Sequence, residues 1–426
     1  MKLPFISTHR LLIASLSSLA ISLPAFAHKQ DGHGIHHTEM ADHEEIGEAL
    51  AHNAPAEFAN PPHFIFKSHN QKFVIGLGGF LKATASFDFG SPTDNPTDFL
   101  VSDIPVGQAK GNGAKMQFSA QSSALFANAI FNPGKNQVGA FIGFDFRGGN
   151  YVPVLQYGFV KYRGFQSGYD ITLFADDAVA PPSIDAQGPN SYLGITTPGV
   201  RFTTSFGKQK QWSAGVGLEM PQAAYPADDA VAVVNQRIPD IPAFIRYSWN
   251  ESSSWLRLAA ILRNMTYRDL VKETNRTSTG WGLALSGNVG IISDKLSFIF
   301  QGAYGHGISS YFQDLNGAVE EDLFASTDHP GKMKAAPAWG GFAGFQYNFS
   351  SKCYASASYS HLRIYDNKTM AAADDYRYGQ YILANFFYDI NSYLTWGVEY
   401  IYGRKMNMNG ANAHDNRLQT MLQFSF

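Results

Sequence analysis

The sequence predicts an all-β protein, a 16-stranded antiparallel transmembrane β-barrel with short periplasmic turns and long extracellular loops. Three observations carry that expectation. Apolar and polar residues alternate with period 2, not 3.6, in run after run from Phe73 to Phe426. The connections between runs alternate between tight polar turns and longer irregular segments, the pattern of a barrel whose two rims face different compartments. The composition is also unusual: 16% of residues are charged and 14% aromatic, with 40 glycines, against roughly 25% charged in ordinary soluble domains.

In chain order, residues 1–27 read as a secretory signal peptide. Lys2 and Arg10 precede an apolar stretch from Leu11 to Leu23, and Ala25-Phe26-Ala27 is an A-x-A cleavage site. Its removal takes away two cations and no acid, leaving 30 basic and 35 acidic residues. That balance, with no basic run, excludes a nucleic-acid partner. The single cysteine, Cys353, excludes an intrachain disulfide framework.

Residues 28–72 are a His-rich periplasmic extension and linker. Eight of the 13 histidines fall here, among them His28, His33, His36, His37 and His43, interleaved with acids. Imidazole beside carboxylate suits Zn, Cu or Ni, but no ligand motif of fixed spacing appears. The tract therefore reads first as a polar tether that binds such metals adventitiously, with no resident cofactor. Pro55, Pro61 and Pro62 mark the linker.

Residues 73–426 form the barrel. Short turns are expected at 132–136, 165–168, 207–211, 250–254, 293–295, 350–352 and 389–392, with longer loops near 88–115, 148–152, 176–198, 220–241, 268–277, 312–336, 365–377 and 405–416. Seven turns and eight loops make sixteen strands. Closure is the physical reason: in lipid every backbone N–H and C=O needs an internal partner, so a spanning sheet has no free edge. Alternation then means lipid outside and water inside. Along the last run, Leu418, Thr420, Leu422, Phe424 and Phe426 share the outer face and Arg417, Gln419, Met421, Gln423 and Ser425 the inner one. Aromatics flank the short turns, as at Trp249 and Trp255 or Tyr388 and Tyr393, where ring bodies suit the membrane interface.

The same parity turns cations into the lumen at Lys82, Arg201, Arg246, Arg257, Arg263 and Arg417, and carboxylates at Asp145, Glu219 and Glu399. Arg201, Arg246, Arg257 and Arg263 come from neighbouring strands and are expected to form one basic wall, and Glu399 to reach Arg417. A cationic constriction between low-dielectric walls concentrates anions. If each cation is instead paired with an inward carboxylate, the selectivity is weak.

Several stretches resemble the DcaP-like family of trimeric Gram-negative outer-membrane porins. They are Gly78-Gly-Phe-Leu-Lys-Ala83 with Phe87-Asp-Phe89, Ser102-Asp-Ile-Pro105, Gly143-Phe-Asp-Phe146, Gly397-Val-Glu-Tyr-Ile-Tyr-Gly-Arg404 and Asn416-Arg-Leu-Gln419. The resemblance implies an outer-membrane homotrimer that takes up small anionic solutes such as dicarboxylates. Where that family carries basic residues on the second strand, this chain reads Ala120-Gln-Ser-Ser-Ala124, a departure that bears on anion preference.

No enzyme is expected. Ser360 and His361 are neighbours on a strand and point to opposite faces, His306 and Ser309 have nothing to order a base, and no G-x-S-x-G occurs. The expectation is a passive porin in outer-membrane lipid. The alternative is a metal-capturing, structural or adhesive barrel with a His-rich leader.

Overall fold

The computed structural model describes residues 46, 49, 50, 52–55, 58, 64–68, 72–107, 113–133, 136–316, 322–326, 328–365 and 373–426. The signal peptide and His28, His33, His36, His37 and His43 lie outside the described residues.

Sixteen antiparallel strands of the described chain close into one barrel. They are β1 (Phe73–Gly90), β2 (in two segments, Ala114–Ser119 and Ala124–Phe131), β3 (Val138–Gly148), β4 (Val152–Tyr162), β5 (Phe165–Ile171), β6 (Thr196–Phe206), β7 (Trp212–Glu219) and β8 (Ile241–Trp249). The second half comprises β9 (Ser254–Asp269), β10 (Thr274–Ile292), β11 (Leu296–His306), β12 (Pro337–Asn348), β13 (Cys353–Ile364), β14 (Tyr376–Asp389), β15 (Leu394–Asn407) and β16 (Asn412–Ser425). Each strand pairs with the next, and β16 returns to β1 in a ladder running from Phe80↔Ser425 to Gly90↔Asp415. No sheet edge is left for lipid to meet.

A further strand, Phe64–Lys67, pairs with Val74–Leu77 of β1. Because β2 already occupies the other edge at that level, this arm lies on the same edge as β16. It begins where β16 ends: Gly79 N–H donates to Phe426 O at 2.8 Å, Phe426 N–H to Gly79 O at 2.9 Å, and the rings of Phe64 and Phe426 are 6.4 Å apart.

The turn expected at 165–168 lies instead at Arg163–Gly164, and Phe165–Ile171 is strand. Both turn residues have positive φ, 47° and 85°, the two-residue connection whose twist matches a hairpin. Arginine in its first position hid that signal. Gly168 lies within that strand, and the position is glycine because its φ is 140° and a Cβ there would collide with Gly158 O. Of the outer connections, 149–151, 270–273 and 408–411 are tight. The long ones are L1 (91–113), L3 (172–195), L4 (220–240), L6 (307–336) and L7 (365–375).

Leu256, Leu258, Leu283, Leu285 and Leu418 are exposed to the lipid side, whereas Arg257, Ser286, Gln301, Gln346, Glu399 and Gln419 are buried on the lumen side. Leu258 pairs with Ile245 and Leu285, about halfway up the apolar band. Leu258→Arg should therefore cost about 2–4 kcal/mol of folding stability in lipid vesicles, measured by reversible denaturant unfolding. Ser358→Ala, on the lumen face of β13, where the hydroxyl has no hydrogen-bond partner among the described residues, should cost far less.

Candidate functional site

The lumen is not an empty tube. L3 is buried along nearly its whole length, and its Phe174, Val179, Tyr192 and Leu193 pack with Phe312 and Leu315 of L6 against Ile261, Phe342 and Leu362 of the wall. Such a loop would leave its backbone groups unpaired unless the wall supplied partners. The inward charges of the strands supply them.

Glu399 of β15 accepts backbone N–H groups of Ile184 and Asp185 at 3.0 and 2.9 Å, the Ser183 hydroxyl, Asn385 Nδ2 and Gln419 Nε2. Glu219 of β7 takes the Thr172 hydroxyl at 2.6 Å and Leu173 N–H at 2.7 Å. Lys82 Nζ donates to Ile184 O at 2.8 Å, and Arg257 to the carbonyls of Leu173 and Phe174. L3 answers with Asp176, which accepts from Trp255 Nε1 at 3.0 Å and the Ser286 hydroxyl at 2.6 Å.

Other inward charges hold other loops. Arg417 makes a bidentate pair with Asp88, both contacts 2.7 Å, and donates to Thr93 Oγ1 and Asn95 O of L1. Asp88 lies directly opposite Arg417 on β1, whereas Glu399 is opposite Gln419 and only diagonal to Arg417. The direct cross-strand neighbour is the nearer partner, and Glu399 is spent on L3. Asp145 pairs with Arg147, which also meets Asp98 of L1. Arg263 pairs with Asp240 of L4 and Asp322 of L6, each at 3.1 Å. Sequence reasoning did not single out the loop carboxylates, since nothing along the chain marks which loop folds inward.

What remains open is a cavity of about 560 Å³ at the periplasmic end. Arg201 (β6), Arg246 (β8) and Arg257 (β9) line it together, as neighbouring-strand residues of one parity would. Arg263 does not, being further up β9 in its pair with Asp240 and Asp322. Lys82, Arg417, Asp145, Glu219 and Glu399 are likewise outside its lining. Lys161 of β4 and Arg163 of the next turn join it. Lys161 carries no sequence signal because its own face of β4 is otherwise apolar, with Tyr157 and Phe159 above it. In all, the lining holds five Lys and Arg side chains and the three carboxylates Asp170, Asp176 and Asp177. Arg201 pairs with Asp170. Arg246 stacks on Trp255 and Arg257 on Phe244, each 4.3 Å from the ring centroid, and neither they nor Lys161 make an ion pair with a described residue.

The inner rim of this cavity is formed by the segment before the barrel. Asn53 Nδ2 donates to Asn128 Oδ1 at 2.6 Å, Lys161 Nζ donates to Asn53 O at 2.9 Å, and Phe58 is buried among Phe80, Phe126, Phe141 and Tyr157, with centroids 5.1–6.3 Å away. These positions had been read only as linker.

L1 is tied to L3 and L6 inside the lumen by two loop carboxylates. Asp185 of L3 accepts Phe99 N–H at 2.9 Å and the Tyr381 hydroxyl at 2.9 Å; burial, with the nearby Glu399 charge, raises its pKa to about 7. Asp314 of L6 accepts Val101 N–H at 2.6 Å and Ser102 N–H at 3.3 Å, and burial pushes it up to about 8 against those hydrogen bonds and Lys405.

Residues 111–422 match the family model described as the porin subfamily. The fold is similar to the outer membrane channel DcaP of Acinetobacter baumannii, with TM-score 0.72 and 20% identity over 85% of this chain and 99% of that one. It is similar also to an anion-selective porin from Comamonas acidovorans (TM-score 0.52, 11% identity, 83% and 100% covered) and to Salmonella typhi OmpF solved with daunomycin (TM-score 0.52, 12%, 85% and 100%). No curated protein sequence matches.

The lock on L1 should depend on pH. Folded Asp314 keeps its proton up to about pH 8, while an unfolded carboxyl loses it near 3.8. The folded state thus binds more protons across that window, and the lock weakens as pH rises through it. Amide exchange at Val101 and Ser102 should be slow at pH 5.5 and, after correction for intrinsic rates, faster at pH 8.5. Asp314→Asn, which mimics the protonated acid, should flatten most of that dependence.

Proposed function

The chain belongs to the porin subfamily and is an outer-membrane channel rather than an enzyme; from that premise we propose that it passes small hydrophilic solutes by passive diffusion and favours anions such as dicarboxylates. The observation that supports the anion preference is the cation excess at the periplasmic cavity, where Lys161, Arg246 and Arg257 carry charge that no described carboxylate neutralises by direct contact. Positive potential inside low-dielectric walls raises the local anion concentration and disfavours cations. No group is activated and no bond is made; the wall selects by charge and L3 by size.

The DcaP-like resemblance supports a homotrimer, each barrel with its own lumen. The outer wall fits either lipid or a neighbouring barrel, because both demand an apolar face.

In planar bilayers with a KCl gradient, the protein should give an anion-selective reversal potential and close in three equal steps. Arg246→Gln with Arg257→Gln should move the reversal potential toward cations. A cation-selective wild-type potential would overturn the anion preference, and a single closing step the trimer.

A further inference from the structure

The outer wall carries an electrostatic asymmetry that diffusion through the lumen does not use. No carboxylate of the described barrel strands has outward parity, and the strand cations of clear outward parity are Arg268, Arg363 and Arg404, all close to extracellular strand ends, with Arg377 at the β14 bulge between Tyr376 and Tyr378 beside them. Arg363 and Arg404 belong to one patch. Across β13 to β16 the register runs His361↔Gln380, Gln380↔Arg404 and Arg404↔His414, one continuous outward row, with Arg363 one outward position above His361.

The outward row just below reads Tyr359, Ile382, Tyr402 and Asn416. It marks the level where hydrocarbon gives way to headgroups, the place of aromatic girdles. The two rows are knitted together. Trp339 and His361 stack at 5.0 Å, His361 and Tyr378 at 5.4 Å, and Gln380 Nε2 donates to the Tyr359 hydroxyl at 3.0 Å.

The cations themselves are underused. The Arg363 guanidinium lies 4.7 Å over the Tyr365 ring, but among the described residues its Nε has no hydrogen-bond partner. Among the described residues Arg404 reaches Asn412 Oδ1 alone, at 3.4 Å, and neither arginine makes an ion pair with a described residue. Two guanidinium groups two strands apart, roughly 10 Å, on an outward face whose described strands carry no acid, are complementary to an anion.

We propose that this outward patch, with Arg363 and Arg404 as its charges and His361, Gln380 and His414 as its polar floor, binds the phosphate of an anionic lipid in the outer leaflet. Guanidinium groups bind phosphate through paired N–H donors. The aromatic row beneath gives the apolar part of the same molecule a surface to lie on, which favours a lipid over free phosphate.

The test uses the full-length protein in a neutral detergent and three probes: dioleoyl phosphatidic acid, dioleoylglycerol and inorganic phosphate. Native mass spectrometry counts bound lipid across a titration. Phosphatidic acid should bind wild type and Arg268→Gln alike and bind the double variant Arg363→Gln with Arg404→Gln about tenfold more weakly, the loss expected from two charge-assisted contacts. Dioleoylglycerol should be retained poorly, and equimolar inorganic phosphate should not displace the lipid. Unchanged affinity in the double variant, equal retention of dioleoylglycerol, or displacement by inorganic phosphate would each overturn the proposal. The heat-shifted gel band and the single-channel conductance check that the double variant is folded. If it is not, Arg404→Gln alone, at a shallow position, should show a partial loss of affinity.

Discussion

A polypeptide inside hydrocarbon has nowhere to send its backbone polar groups but to itself. Closure of β1 onto β16 satisfies that demand for the whole sheet, and much else follows from it. One side of every strand must then be apolar, so the polar residues of the strands turn the other way. Among the described barrel strands the sorting is complete for carboxylates: Asp88, Asp145, Glu219, Glu399 and the other strand carboxylates have inward parity. The lumen becomes a polar interior ringed by a fixed wall, and a loop that enters it finds donors and acceptors already in place.

That interior joins the apolar packing of L3 and L6 against the wall to ion pairs and charge-assisted hydrogen bonds. Such buried charges bring little net stability, since desolvation offsets attraction, but removing one partner is costly. Their effect is to specify position. Glu399 accepts two consecutive backbone N–H groups of L3, and Arg263 clamps carboxylates from two different loops. The cavity that remains is the space the loops leave free, so the loops that fill the barrel also set the shape of its aqueous path.

The sequence made the wall legible and left its contents obscure. Strand parity at Leu418 and Arg417 or at Leu258 and Arg257 is a local property with period 2, and burial follows it closely. The rims are local too, apart from Arg163–Gly164, where an arginine adopts a conformation usually left to glycine or asparagine. Loop packing is not local. Whether Asp322 or Asp240 meets Arg263 depends on the path of L6 and L4 through space, and no pattern along the chain encodes it. The same limit governs the inward charges: alternation places Arg246 and Arg417 on one face, yet one lines a cavity and the other is sealed under L1. The basic pair Arg363 and Arg404 went unremarked because only the register shows that they share a patch with His361 and His414.

The arm at Phe64–Lys67 has a consequence for the bore of the barrel. A barrel's width depends on strand number and on stagger, the offset accumulated in one circuit of the sheet. Strand number is fixed by the chain, but stagger is fixed only where the last strand meets the first, and a ladder of alternating residues tolerates a slip of two at that seam. Here the arm occupies the rest of that edge of β1 and abuts the final residue, with Phe64 against Phe426. A slide of β16 toward the periplasm would run into it. The arm therefore stands as a one-way stop at the seam, opposing a slip of β16 that would change the stagger and with it the width.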